Sequence, residues 1–506
     1  MKNRKFPAWL KIEQKDQTLF FSLTALYAVY VLPIILANRY YQDDLSRSLY
    51  GITGWKNDAR PLTECLVTWL CGGFPIGDVH PLPLLLSVLL LAYTITLYTK
   101  RYPSGEGRMI SPLCIGFLVI ANPFLLSNLS YRFDCVTMIL ALCTAVLPYA
   151  VPPKKALWKI FLFSLFLCLV TLTTYQPAIG VYISLWFLEV FFMLFSERLD
   201  LPRLFVRGIA CIFSVLLYKY LILNYYIYTG NGGWQPEAYR FAWHSENGFF
   251  SGIALNLQTF AKHITMAAQS IPAPLLVLLA ILTAAGMVVW GITLRGRKKK
   301  RYLKILSLVY LLFLPVCVTL GAVSPLLVLT HSNFSISAHS LLCLCSVGLW
   351  TGIMISALFT RLSRLGPLLF LPSMLFGLTF SYSYGNAMSS QKQYEEYLIY
   401  SIVHDVETLN ADGSFEKLTI SGRIPRSPQT TRLREKYPLF RHLVPVYPSN
   451  SSYLGGALLL HYTQESFDFE KLTEEDQTLI DSTEPSLANR VYTCYENGDK
   501  IIILFQ

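Results

Sequence analysis

Long apolar runs alternate with short polar, often basic, segments through the first three quarters of the chain. The runs lie near 18–37, 82–99, 109–126, 134–150, 157–174, 177–195, 204–226, 272–294, 303–323, 337–359 and 366–384. Each approaches the roughly twenty residues that carry an α-helix across a hydrocarbon core. Inside lipid every peptide N–H and C=O needs a partner within the segment, and a helix meets that demand. The pattern predicts a mainly α, polytopic membrane fold with about eleven transmembrane helices. Internal prolines such as Pro33 and Pro148 are tolerated where neighbouring helices satisfy the freed carbonyls.

After residue 385 the pattern changes. Residues 386–506 hold 11 basic and 17 acidic residues and no spanning run. Tyr394, Tyr397, Leu398, Ile402, Val406 and Leu409 recur near helical spacing. Short β-like runs follow at Leu418–Ser421, Ala457–Tyr462, Val491–Glu496 and Lys500–Phe505. Asn497-Gly498-Asp499 joins the last two as a hairpin turn. The expected organisation is a transmembrane domain over 1–385 and a small C-terminal α/β domain over 386–506.

Composition agrees with lipid: 53% of residues are hydrophobic and 14% charged, against about 25% charged in a soluble domain. The net charge of +11 does not point to nucleic acid, because the basic residues fall in blocks between apolar runs. With a cytoplasmic N-terminus, the inner segments carry 23 Lys and Arg and the outer loops seven. That asymmetry sets orientation, and eleven spans then leave the C-terminal domain outside. The first run ends in Asn38-Arg39-Tyr40 without a small-residue cleavage site and reads as a signal anchor. Most cysteines stand singly in or beside apolar runs; only Cys65 and Cys71 share a polar loop in which a disulfide is conceivable.

Candidate chemistry gathers in the predicted outer loops. The first, about 38–81, reads Asn38-Arg39-Tyr40-Tyr41-Gln42-Asp43-Asp44-Leu45-Ser46-Arg47, then Gly51, Gly54-Trp55 and Asn57-Asp58-Ala59-Arg60-Pro61-Leu62. Any one of these charges reads as an ordinary interfacial residue. Together, two carboxylates and two guanidiniums at a membrane surface supply a base and an anion clamp for a lipid-borne substrate. Tyr131-Arg132-Phe133-Asp134 repeats an arginine and a carboxylate before the fourth run, and Thr174-Tyr175-Gln176-Pro177 is a tight polar turn suited to a sugar. Arg132 with Asp134 reads equally as a snorkelling arginine and a helix N-terminal carboxylate. Lys219 lies within an apolar run, where a charge is expensive and a functional candidate. Lys262, His263, His331 and His339 fall on or near the outer side. No metal-ligand spacing, P-loop, Gly-rich dinucleotide turn or Gly-x-Ser-x-Gly is present.

These loop residues carry a family likeness. Tyr-x-Asp-Asp-x-x-Arg, followed by Gly…Trp and Asp-x-Arg-Pro-Leu, resembles the Gtr-type serotype-converting glucosyltransferases of enterobacterial temperate phages, within the GT-C superfamily. The Tyr-Arg-Phe-Asp and Tyr-Gln turns are similar as well. The resemblance implies an inverting hexosyltransferase that moves glucose from undecaprenyl-phosphate glucose to a sugar of lipid-linked O-antigen, at the periplasmic face. It carries over Asp43 and Asp44 as catalytic carboxylates, with Arg47, Arg60 and Arg132 as donor-phosphate ligands; Lys262 and Lys219, cations on or near the outer side, stay in reserve for the same phosphate. Asp58, Asp134, Tyr175 and Gln176 become supporting or sugar-binding residues. No metal or other cofactor is expected; membrane lipid, and functionally a donor synthase and a flippase, are the further partners.

Three other readings compete. A transferase of another polyprenyl-phosphate sugar is barely separable by sequence. A transporter or flippase is expected to carry charged or broken helices at the midplane and often internal repeats. An O-antigen polymerase also uses outer-loop arginines, without the double-Asp opening. The charge asymmetry predicts that a phosphatase fused after Gln506 is active and a fluorescent protein fused there is dark. The opposite pattern means that the number of spans is even.

Overall fold

The computed structural model describes residues 10–100, 110–150, 156–196, 200–228, 248–295, 301–330, 337–362, 365–422, 424–447, 452–462 and 467–506. His331 lies outside them. The chain divides into two compact units: residues 1–32, 54–70 and 79–381 form the first, and 33–53, 71–78 and 382–506 the second.

The first unit is helical. Among the described residues of the whole chain, nine helices are long and apolar enough to cross a membrane, from Asp16–Ala37 to Leu365–Leu409. The protein is a multi-pass membrane protein. Two predicted runs form shorter helices, Ile110–Ile120 and Cys135–Ala150, of 11 and 16 residues. The first stops before Asn122-Pro123 because a residue preceding proline is pushed out of the helical region. The side chain of Asn122 then accepts the Phe124 N–H at 3.2 Å, and a six-residue helix, Leu125–Ser130, follows.

Helices pair tightly where small residues let backbones approach. Ile179–Ser196 packs on Arg301–Leu327, and a Cβ at Gly180 would stand 1.9 Å from the Ala322 carbonyl oxygen. Outward positions such as Val277, Ile281, Val288 and Ile292 on Ala273–Arg295 are exposed apolar residues, as lipid contact requires.

Two features were not expected. A 21-residue helix, Phe249–Gln269, buries Gly252, Asn256, His263 and Ala267. Asn256 Nδ2 donates to the Leu327 and Leu329 carbonyls at 3.2 and 2.8 Å. Its polar residues kept it out of the apolar runs. The second is a buried ionic cluster. Arg207 Nη1 lies 3.1 Å and Arg203 Nε 3.8 Å from Glu189 Oε1, all three nearly inaccessible. Arg207 Nη2 also donates to the Pro148 carbonyl at 2.6 Å, near the C-terminal end of Cys135–Ala150.

The second unit is built on the C-terminal part of the helix Leu365–Leu409 and a five-stranded sheet. The strands are β1 (Lys417–Gly422), β2 (Asp468–Phe469), β3 (Leu487–Ala488), β4 (Tyr492–Asn497) and β5 (Lys500–Phe505), in the order β2-β1-β5-β4-β3. β1 pairs parallel with β2 and β5; β4 pairs antiparallel with β3 and β5. The predicted hairpin is present, with Gly498 at φ +62° in its turn. Lys500 Nζ ties it down through Asp476 at 2.9 Å and Glu470 at 3.1 Å. Burial pushes the Asp476 carboxyl up, but Lys500, the Thr473 amide and Asn497 together hold it down at about 2.

The predicted strand at Ala457–Tyr462 is corrected: Ser452–Leu460 is a helix. Leu458, Leu459 and Leu460 favour helix, and a short apolar run does not by itself distinguish the two states. Cys65 and Cys71 carry free thiols.

Leu398, Ile399, Ile402 and Val406 pack with Leu418, Ile420, Ile501, Ile503 and Phe505, and Leu45 of the helix Asp44–Tyr50 enters the same core. The double-Asp segment therefore folds as part of this unit. Its anchor is Arg39, whose Nη2 lies 2.7 Å from Glu395 Oε2, both buried. Removing one partner of a buried pair leaves an uncompensated charge, at a cost of about 3–5 kcal/mol. Glu395→Ala is expected to destabilise the purified protein by an amount of that order, read as a lowered melting temperature, and to speed proteolysis after residue 386. An unchanged melting profile shows that the pair does not hold this unit.

Candidate active site

In the second unit, the segment carrying Asp43 and Asp44 is fixed from several directions. Asn38 and Gln42 adopt positive φ of 43° and 52°, turning the chain sharply on either side of Arg39, Tyr40 and Tyr41. Beyond Arg39, Glu395 Oε1 accepts from Gln391 Nε2 at 3.0 Å and from the Tyr447 amide at 2.8 Å. The Arg39 guanidinium sits 4.8 Å above the Tyr447 ring. The Gln42 amide donates to the Tyr447 hydroxyl at 2.5 Å, and the Tyr41 hydroxyl to the Leu443 carbonyl at 3.2 Å.

The two carboxylates that follow differ. The Asp43 side chain is 51% exposed, and its Oδ2 lies 3.4 Å from Arg47 Nη1, one helical turn on. Asp44 is 0% exposed, at the first residue of the helix Asp44–Tyr50. That helix ends at Gly51, with φ +62°, where any Cβ would stand 2.6 Å from Pro75 Cβ. Only glycine accommodates both constraints.

In the first unit, Arg60, Tyr175 and Gln176 meet. Arg60 Nε donates to Gln176 Oε1 at 3.1 Å, and its guanidinium lies 4.8 Å over the Tyr175 ring. Gln176 Nε2 donates to the Asp58 carbonyl and to the Tyr218 hydroxyl, each at 2.8 Å. The Tyr218 hydroxyl in turn donates to the Ala59 carbonyl at 3.0 Å. Ala59 itself has φ +53°, so the Asp58–Arg60 turn is strained and held by its partners. Burial first, and Asp134 as a lesser contributor, push the Tyr175 phenol upward against the pull of Arg60; it keeps its proton.

Asp134 is buried and accepts from Trp55 Nε1 at 3.0 Å. Its carbonyl starts the helix Cys135–Ala150 by accepting from the Met138 amide at 3.0 Å. Arg132, two residues earlier, is also buried. Lys262 is exposed on Phe249–Gln269 and, among the described residues, makes no hydrogen bond or ion pair. Lys219 is half-buried, with Nζ 5.7 Å from the Tyr220 ring centroid.

Thus Arg60, Gln176 and the Asp58 carbonyl form one hydrogen-bonded cluster of the first unit, with the Tyr175 ring against Arg60 and Asp134 bonded to Trp55 in the same unit. Asp43, Asp44 and Arg47 belong to the second unit. Trp55, Tyr218, Glu395 and Tyr447 were missed as partners; the Trp55–Asp134 and Arg39–Glu395 bonds join residues 79 and 356 positions apart, beyond any local pattern. Among the described residues, no group of three His, Cys, Asp or Glu is placed to hold a metal ion.

Comparison with known proteins adds a family. The model for glucosyl transferase GtrII matches residues 32–356, a stretch that includes every candidate residue above from Asp43 to Lys262. An uncharacterised 55.3 kDa protein in the gtrB 5′ region of Salmonella phage P22 is 23% identical over 502 residues, covering 98% of this chain and 100% of the relative. No solved structure matches.

The Trp55–Asp134 bond generates a prediction. Trp55→Phe replaces the buried indole with a smaller ring that has no N–H, leaving a buried carboxylate short of a donor, which costs about 1–3 kcal/mol besides the packing lost. Thermal unfolding in detergent is expected to show that loss, and Trp55→Phe with Asp134→Asn to recover part of it. Equal stability of wild type and Trp55→Phe shows that the bond carries no weight.

Proposed function

Since the chain belongs to the GtrII glucosyl transferase family, we propose that it transfers glucose from undecaprenyl-phosphate glucose to a sugar hydroxyl of lipid-linked O-antigen, at the periplasmic face of the bacterial inner membrane. The observation that carries this reading is the family match over a multi-pass membrane chain whose loop arginines and carboxylates fall within the matched residues.

The chemistry asks for little acid catalysis, because a glycosyl phosphate already has a good leaving group. The acceptor hydroxyl oxygen attacks the anomeric carbon as the bond from that carbon to the phosphate oxygen breaks, and its electron pair leaves with the lipid phosphate. The hydroxyl proton passes to a carboxylate. A single displacement inverts the anomeric centre.

Asp43 is assigned as the proton acceptor, because a base must touch the hydroxyl and only Asp43 of the two has an accessible side chain. Asp44, buried at the first residue of its helix, takes no part in the proton transfer. Arg60 and Arg132 are assigned to the developing phosphate charge. Arg60 already has its guanidinium plane fixed over Tyr175 and by Gln176, and a planar fork holds two phosphate oxygens where lysine offers a point charge. Arg47 keeps Asp43 oriented.

The test is transfer by the purified protein from radiolabelled undecaprenyl-phosphate glucose to lipid-linked O-antigen, with other polyprenyl-phosphate sugars alongside. Asp43→Asn is expected to lose about 10²- to 10⁴-fold in turnover while still binding donor. Arg60→Ala and Arg132→Ala are expected to raise the donor requirement more than the acceptor requirement, and the Arg→Lys forms to keep part of the activity. Wild-type turnover by Asp43→Asn moves the base elsewhere. Normal donor use by both arginine variants removes the phosphate assignment.

A further inference from the structure

A row of aromatic side chains lies on the second unit, outside the residues assigned to the reaction. Tyr40, three residues before Asp43, meets His461 edge to face with centroids 5.7 Å apart. His461 meets Tyr462 at 5.1 Å, and Tyr462 meets Tyr400 at 5.2 Å. Three separate chain segments therefore supply one continuous line of four rings. Tyr40 and Tyr462 rest on the hydrophobic core beneath, so the row has a rigid base. His461 and Tyr400 are exposed, Tyr400 at 61%, with Tyr397 at 68% one turn earlier on the same helix.

Polar groups border the rings. The Tyr462 hydroxyl donates to Glu396 Oε1 at 3.1 Å, and Lys392 Nζ lies 3.7 Å from that same carboxylate oxygen. The Ser48 hydroxyl donates to the Tyr40 hydroxyl at 3.0 Å. Burial, and then the charge of Glu396, push the Tyr462 phenol upward, so it remains a donor. Aromatic faces bordered by a carboxylate, an ammonium and hydroxyls match a pyranose, whose one face is lined by C–H groups and whose rim is lined by hydroxyls. The ring face is the negative pole of the aromatic quadrupole and attracts those C–H groups, while the rim groups accept and donate hydrogen bonds.

Membrane-interface tyrosines also expose their rings; Tyr40 lies three residues past the first span, Asp16–Ala37, but Tyr400 at the other end of the row is set apart by its position along the helix. Tyr400 stands 16 residues beyond Tyr384, where the apolar run ends, or about 24 Å at 1.5 Å per residue. A glycan extending from a lipid anchor reaches that distance; a bilayer headgroup does not.

We infer that the row Tyr40–His461–Tyr462–Tyr400, with Glu396 and Lys392 at its rim, is a saccharide-binding platform that holds successive sugars of the acceptor glycan. The inference rests on the glycosyl-transfer reading and names the part of the protein that selects the acceptor.

The test uses the full-length protein in nanodiscs and, as probes, lipid-free O-polysaccharides released by mild acid from a panel of enterobacterial lipopolysaccharides. Binding is read by saturation-transfer NMR and calorimetry. At least one polysaccharide is expected to bind wild type, and Tyr400→Ala and His461→Ala to weaken it by about tenfold, the size of one stacking contact. Tyr400→Phe, which keeps the ring, is expected to stay within about threefold. In the transfer assay the same alanine variants are expected to raise the acceptor KM and not the donor KM. Melting temperatures identical to wild type exclude misfolding. The inference is overturned if no polysaccharide binds wild type, or if both alanine variants bind as wild type does. A wild type that binds polysaccharide but transfers no glucose instead sinks the proposed reaction and leaves the platform standing.

Discussion

The Arg39–Glu395 pair is the constraint on which the second unit depends. It joins a residue just past the first helix to one far along the last long helix, at 2.7 Å and out of water. Burying two charges is unfavourable unless the remaining hydrogen-bonding capacity is also met. Gln391 and the Tyr447 amide satisfy the other Glu395 oxygen, and the Tyr447 ring covers the guanidinium. Tyr447 then passes the constraint on, because its hydroxyl accepts from the Gln42 amide immediately before Asp43. The position of the carboxylates is thus set by residues from the far end of the sequence.

That arrangement explains why the fold was more legible than the site. Helices in lipid follow from local apolar periodicity, and the eleven predicted runs correspond to helices, the one near 109–126 being cut at Asn122-Pro123. Local turn chemistry likewise marked the terminal hairpin. The misread segment at Ala457–Tyr462 is a short leucine run, for which periodicity holds no decisive information. Asp43, Asp44, Arg60 and Gln176 were visible as residue types at loop positions. Their environments were not, since accessibility separates Asp43 from Asp44 although they are adjacent in sequence. Arg39 looked like one more loop charge because its partner is 356 residues away.

The first unit shows the complementary strategy. Arg60 is oriented by an aromatic ring and an amide oxygen. Its plane is set by the Tyr175 ring and its Nε by Gln176, while Gln176 is itself fixed by the Asp58 carbonyl and Tyr218. A guanidinium plane fixed in this way is pre-organised for the phosphate role proposed for Arg60. Arg39 has the opposite environment, a carboxylate and a closed network, which suits a structural role.

The buried cluster of Glu189, Arg203 and Arg207 bears on how the protein is made. Arg203 and Arg207 stand in the first two turns of Leu201–Leu217, and their carboxylate partner lies on the preceding helix, Ile179–Ser196. Alone in lipid, neither helix can satisfy its charged groups, and each inserts at a penalty. Entering together as a hairpin, they neutralise one arginine, and the Pro148 carbonyl of an earlier helix receives Arg207. The order of synthesis provides both acceptors before the arginines emerge from the ribosome, so the groups that offset the cost of burying Arg203 and Arg207 are already made when those residues arrive.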